Sequence, residues 1–183
     1  MRNKPIKDMS LKELAFYISD YLCKNGIEAV LTGGACVSIY SDNKYLSYDL
    51  DFIIQHFRNK VNVEKILAKI GFLEKGQSFY HKGTDYFIEF PPGPLAIGDE
   101  PIKEISELKS GVLKLKIISP TECIKDRLAA YYHWNDTQSL EQAILVARDQ
   151  KINLGEIERW SKKEMMEMKF AEFENLLKTH KNS

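Results

Sequence analysis

The stretch from Ile27 to Ile54 restricts what this chain can become more than any other part of it. A β-rich run, Ile27-Glu28-Ala29-Val30-Leu31-Thr32, ends in Gly33-Gly34 and continues as Ala35-Cys36-Val37-Ser38-Ile39-Tyr40, which predicts a strand, a diglycine turn and a helix. Tyr48-Asp49-Leu50-Asp51-Phe52-Ile53-Ile54 then predicts a second strand. Side chains alternate faces along a strand, so Asp49 and Asp51 share one side, about 6.6 Å apart along the chain, while Leu50 and Phe52 turn to a core.

Two carboxylates on one face of a buried strand repel each other, and burial raises the cost of their charge. A hard cation that takes oxygen ligands, such as magnesium, resolves that conflict. The competing reading is an edge strand whose acidic face is wet. The diglycine favours the cation: glycines let backbone N–H groups approach an anion, and a helix N-terminus adds partial positive charge, so strand, diglycine and helix form a phosphate-holding layout.

Leu31-Thr32-Gly33-Gly34, a spacer of 14 residues (35 to 48), and Asp49-Leu50-Asp51-Phe52 together resemble the signature of the DNA polymerase β-like nucleotidyltransferase superfamily. The Gly-Gly form and the ending Ser47-x-Asp49-Leu50-Asp51-Phe52 look most like small AbiEii-type and related uncharacterised bacterial nucleotidyltransferases. The resemblance implies that Asp49 and Asp51 bind magnesium in a two-ion site. It also implies that Gly33, Gly34 and Ser47 lie at the bound nucleoside triphosphate, and that a third acid stands on a later strand. Thr84 to Phe90 reads as an aromatic, alternating strand stopped by Pro91-Pro92-Gly93-Pro94. Glu89 on that strand is the favoured third catalytic and metal-binding acid, with Asp85 as the alternative. Further on, Asp126-Arg127-Leu128-Ala129-Ala130, then Asp136 and Leu140, resemble the Lys-x-x-Ala, Asp-Leu pattern of AbiEii-type chains. Arg127 stands where a phosphate-directed lysine is usual, and an arginine clamps phosphate with two parallel hydrogen bonds. An exposed arginine paired with a neighbouring carboxylate is the competing reading, and Lys125 is a second candidate.

With 183 residues, 44% hydrophobic and 28% charged, the chain has the size and composition of one globular unit or of one unit with a helical appendage. Lys plus Arg and Asp plus Glu are equal at 26 each, so no global basic field recruits long nucleic acid. Cys23, Cys36 and Cys123 are odd in number and lack a CxxC pair, which predicts reduced thiols and a cytoplasmic location. Met1 to Asp8 has no apolar leader core, and no apolar run is long enough to span a membrane.

The expected fold class is α/β in the broad sense, an α+β mixed sheet: a nucleotidyltransferase-like core at 1–119 and a C-terminal helical subdomain at 120–183. Ser10 and Glu13 form a capping box for a first helix that runs to Asn25-Gly26. Val61 to Ile70 reads as a helix, Phe72 to Tyr80 and Thr84 to Phe90 as antiparallel strands joined near His81-Lys82-Gly83, and Val112 to Ile118 as a last strand. Four helices follow, at Thr121 to Trp134, Thr137 to Arg148, Leu154 to Trp160 and Lys163 to Lys178, with a frayed tail after them. His133 and Trp134 are read with Tyr131 and Tyr132 as an aromatic core stripe, and Met165, Met166 and Met168 as packing or a self-association face. His56 and His81 receive no metal role. The loop at 91–99 is read as a proline-stiffened connection in preference to a lid.

The resulting expectation is a magnesium-dependent enzyme that moves a nucleoside monophosphate from a nucleoside triphosphate to a hydroxyl of a small molecule, a protein or an RNA end. The alternative is a catalytically weak or inactive nucleotide-binding protein, or a toxin–antitoxin type module that works through a partner protein or its own copy.

Overall fold

The computed structural model describes residues 4–57 and 62–179, and its fold is a mixed α/β structure. After a 3-10 turn at Ile6–Asp8, helix α1 (Leu11–Lys24) begins at Ser10, whose hydroxyl accepts the Glu13 N–H while Glu13 returns a bond to the Ser10 N–H. Its apolar face, including Leu14, Ile18 and Leu22, is fully buried. It packs against strands β1 (Ile27–Thr32) and β9 (Leu113–Ile118). Between them come α2 (Gly33–Tyr40), β2 (Asp49–Phe57), α3 (Val63–Ala68), β3 (Phe72–Lys75), β4 (Ser78–His81), β5 (Phe87–Glu89), β6 (Ala96–Ile97), β7 (Glu100–Pro101) and β8 (Ile105–Ser110). Helices α4 (Pro120–Trp134), α5 (Thr137–Asp149), α6 (Leu154–Lys163) and α7 (Glu167–Thr179) complete the chain. Among the described residues no helix is long and apolar enough to cross a membrane.

Seven strands form one sheet in the order β3-β4-β5-β2-β1-β9-β8, and β6 and β7 pair separately. β1 runs antiparallel to β2 and parallel to β9, while β2 runs parallel to β5. The change to all-helical structure falls at Ser119, whose hydroxyl caps α4 through the Glu122 N–H. One hydrophobic cluster nevertheless extends from Met9 to Leu177. Helix α2 lies between the sheet and the helical segment: the Tyr40 hydroxyl donates to the Ile118 carbonyl at 2.7 Å, and Gln150 donates to the Tyr40 carbonyl at 2.7 Å.

Several boundaries differ from the expectations. The stretch 72–80 is a hairpin turning at Gly76, where φ is +71°, and β5 covers three residues only. Strand β8 escapes sequence reading because its charged residues lie on an exposed sheet edge, so alternation is weak. Helix α6 extends to Lys163, and a break at Met165, with φ +58°, delays α7 to Glu167. Met165 and Met168 are exposed, as are His133 and Trp134, so the aromatic stripe of α4 buries Tyr131 and Tyr132 but not its last two residues. The loop after β5 exposes Pro92 and Pro94 and then buries Leu95 and Ile97. Val61 at the expected start of α3, and positions 180–183 of the expected frayed tail, lie outside the described residues.

Candidate functional site

Thr32 ends β1, and Gly33 turns the chain into α2 with φ +69°, a left-handed conformation that a side chain would strain. The register sets Thr32 beside Asp51, and the Thr32 hydroxyl donates to the Asp51 carbonyl at 3.3 Å. The diglycine therefore abuts the acidic strand. A Cβ at Gly33 would lie 2.2 Å from Asp51 Oδ2, and one at Gly34 would lie 2.9 Å from Ser47 Oγ. Both glycines are bare because the site's own side chains occupy the space.

Parallel pairing of β2 with β5 places Asp49 beside Phe87 and Asp51 beside Glu89, on one face of the sheet. The Asp51 carboxyl is pushed up to about 7, first by burial, then by the Asp49 and Glu89 carboxylates; Arg127 pulls the other way. Asp85, by contrast, is exposed and precedes β5, off the strand that adjoins β2. Serines hold the flanking acids: Ser47 donates to Asp49 Oδ1 and Ser78 to Glu89 Oε1. Ser78 had no sequence signal, since its role arises from the pairing of Ser78 with Glu89 between β4 and β5.

Arg127 enters from α4. Its guanidinium donates to Asp126 and, at 3.4 Å, to Gln142 Oε1. Burial alone would lower its pKa, but the Asp126 carboxylate outweighs that and keeps the guanidinium firmly charged. Lys125 faces elsewhere. It is 1% exposed, with Nζ 2.9 Å from Glu122 Oε2, 3.5 Å from Glu156 Oε1 and 3.6 Å from Glu100 Oε1. Those carboxylates hold it as a structural cation, which removes it as a phosphate contact. Cys36 and Cys123 are buried side by side across α2 and α4, and burial pushes the Cys36 thiol up, which argues against a nucleophilic role. His81 lies against Phe72, and His133 pairs with Glu164 Oε2 at 3.3 Å, away from the acids.

The donor set is of the chemical kind a hard divalent cation takes: oxygen ligands, negative charge that Arg127 does not fully offset, and a carboxyl that burial and two neighbouring carboxylates push up to about 7. Among the described residues no group of three His, Cys, Asp or Glu side chains is already arranged around one ion position. An incoming ion would compete with the Ser47 and Ser78 hydroxyls for Asp49 and Glu89. The chain matches no protein-family model, no curated protein and no solved structure.

Proposed function

We propose that this chain is a magnesium-dependent nucleotidyltransferase that transfers a nucleoside monophosphate from a nucleoside triphosphate to a hydroxyl. The observation that carries the reading is the packing of Asp51 against bare Gly33, with Asp49 and Glu89 close enough to raise its pKa. Asp49, Asp51 and Glu89 would hold the metal, which when bound neutralises phosphate charge and lowers the pKa of the attacking hydroxyl. Glu89 accepts the acceptor's proton. The acceptor oxygen then forms a bond to the α-phosphorus as the bond to pyrophosphate breaks. The Gly33-Gly34 turn and the N-terminus of α2 receive the departing phosphates, with Arg127 as the nearby fixed positive charge. The three cysteines, none in a disulfide, suit a reducing cytoplasm.

Pyrophosphate release from each triphosphate in magnesium, with water as the slow default acceptor, tests the reading. Release by the wild type that Asp49→Asn abolishes supports it. Binding of triphosphate with no pyrophosphate release, whatever hydroxyl is supplied, favours a second reading, a nucleotide-binding or partner-binding protein. The bond from Ser78 to Glu89 speaks for that alternative, because it occupies the proton acceptor.

A further inference from the structure

The sheet face that carries the acids continues past them. Cross-strand register places Asp51, Glu89, Ser78 and Lys75 in one row and Asp49, Phe87, Tyr80 and Leu73 in the next. The first row is polar. The second becomes an apolar tile as soon as it leaves Asp49: the Phe87 and Tyr80 rings stack with centroids 5.4 Å apart and planes 29° from parallel. Tyr80 is 44% exposed and Leu73 65% exposed. Large apolar groups rarely face water in a contiguous strip without a use, and this one abuts the acids directly.

In-line displacement fixes what approaches from that side. The leaving pyrophosphate and the attacking oxygen lie on opposite sides of the phosphorus. If the departing phosphates go to the Gly33-Gly34 turn beside β1, the acceptor enters from the β5 and β4 side, across the tile. A polycationic sugar would seek carboxylates there and a nucleic-acid end would seek several cations. The tile carries neither, and the register places a single lysine, Lys75, in the neighbouring row.

We propose that the acceptor is an uncharged aromatic ring bearing a hydroxyl, packed across Phe87 and Tyr80 with its edge against Leu73; this rests on the nucleotidyltransferase reading. Phe87 and Glu89 are two residues apart on β5, about 6.6 Å, a span that a ring hydroxyl and one hydrogen bond cover. The phenolic O–H gives its proton to Glu89, its oxygen bonds to the α-phosphorus, and the phosphorus–oxygen bond to pyrophosphate breaks. The products are an aryl phosphodiester of the nucleoside and pyrophosphate. Tyr80 and Leu73 act on specificity, not on the reacting atoms.

The test uses 2-naphthol, whose fluorescence reports binding to the full chain without metal or nucleotide, on the wild type, Tyr80→Ser, Leu73→Ser and, as a control at a distant exposed ring, Trp134→Ser. Matched melting temperatures certify the fold of each. The expected result is binding that weakens at least fivefold in Tyr80→Ser and in Leu73→Ser and is unchanged in Trp134→Ser. With ATP and magnesium, pyrophosphate release should be faster with N-acetyltyrosinamide than with N-acetylserinamide. Tyr80→Ser should then raise KM for the phenol and leave triphosphate affinity alone. Naphthol binding indifferent to Tyr80 and Leu73 overturns the proposal, as does a Tyr80→Ser effect on triphosphate affinity alone, which would make the tile a nucleobase surface. Naphthol bound at the tile of a chain that binds no triphosphate in magnesium overturns the acceptor role through failure of the underlying reading.

Discussion

Gly33 and Asp51 share one small volume: a Cβ on the glycine would lie 2.2 Å from the carboxylate Oδ2. The turn and the acid therefore depend on each other, and the φ of +69° at Gly33 adds a backbone reason for the same residue. Gly33→Ala should destabilise the protein by about 2 kcal/mol or more, through left-handed strain and the clash together. Gly33→Ala combined with Asp51→Ala should recover part of that loss, because the clash is removed and the strain is not. Denaturant melts of these two variants and of Asp51→Ala alone check this; effects that simply add would mean that the clash contributes nothing.

Asp51 should weaken the metal-free protein as it ionises. Its folded pKa, about 7, lies above its ordinary 3.8, so the stability of the protonated form is complete below pH 4 and is lost as pH rises through 7. Asp51→Asn removes that loss. Without metal it should be as stable as the wild type near pH 4 and more stable at pH 8, by on the order of a few kcal/mol at most. A lower melting temperature for Asp51→Asn at pH 8 would show that the carboxylate is a structural anchor.

How far these relationships could be read in advance differs from residue to residue. Asp49 and Asp51 were legible because strand alternation is local, and the diglycine because it separates two apolar runs of different period. Glu89 was legible as a residue, but its place beside Asp51 comes from parallel pairing across 38 positions, which no local pattern encodes. Phe72 to Tyr80 concealed a hairpin because apolar residues stand on both sides of Gly76, and nothing local marks that Gly76 adopts φ +71°. Lys125 and Arg127 are two residues apart on one helix, and only tertiary packing decides that the charge of Arg127 acts on Asp51 while Lys125 meets Glu122, Glu100 and Glu156.

Lys125 is consequently a test of structure, and Arg127 a test of function. Lys125→Met leaves Glu122 at 2% exposure and Glu100 at 8% without their buried cation, and should cost about 3 kcal/mol or more. Arg127→Met should instead weaken triphosphate affinity roughly tenfold, the scale of one charge-assisted contact, with Arg127→Lys between it and the wild type. Thermal melts and calorimetric titrations of both variants separate the roles. Equal loss of stability in the two would assign Arg127 to the scaffold.

Acid should dissolve the same network. Burial alone would raise the Glu100 pKa, but hydrogen bonds from Arg159, Lys103 and Lys163 hold it down at about 2, and Arg159 holds Glu156 well below its ordinary range. A depressed folded pKa contributes stability above the ordinary value of 4.5, and that contribution is lost as pH falls toward 2. Glu100→Gln should therefore be less stable than the wild type at pH 7, and the gap should close between pH 4.5 and pH 2. A gap of constant size across that window would mean that Glu100 carries no titrating contribution.

The most direct measurement is calorimetric titration of each of the four nucleoside triphosphates, with and without magnesium, into the wild type and into Asp49→Ala/Asp51→Ala. The account predicts binding that requires magnesium in the wild type and vanishes in the double variant while its metal-free fold persists. Absence of binding for all four triphosphates, or binding that survives loss of both aspartates, would contradict it.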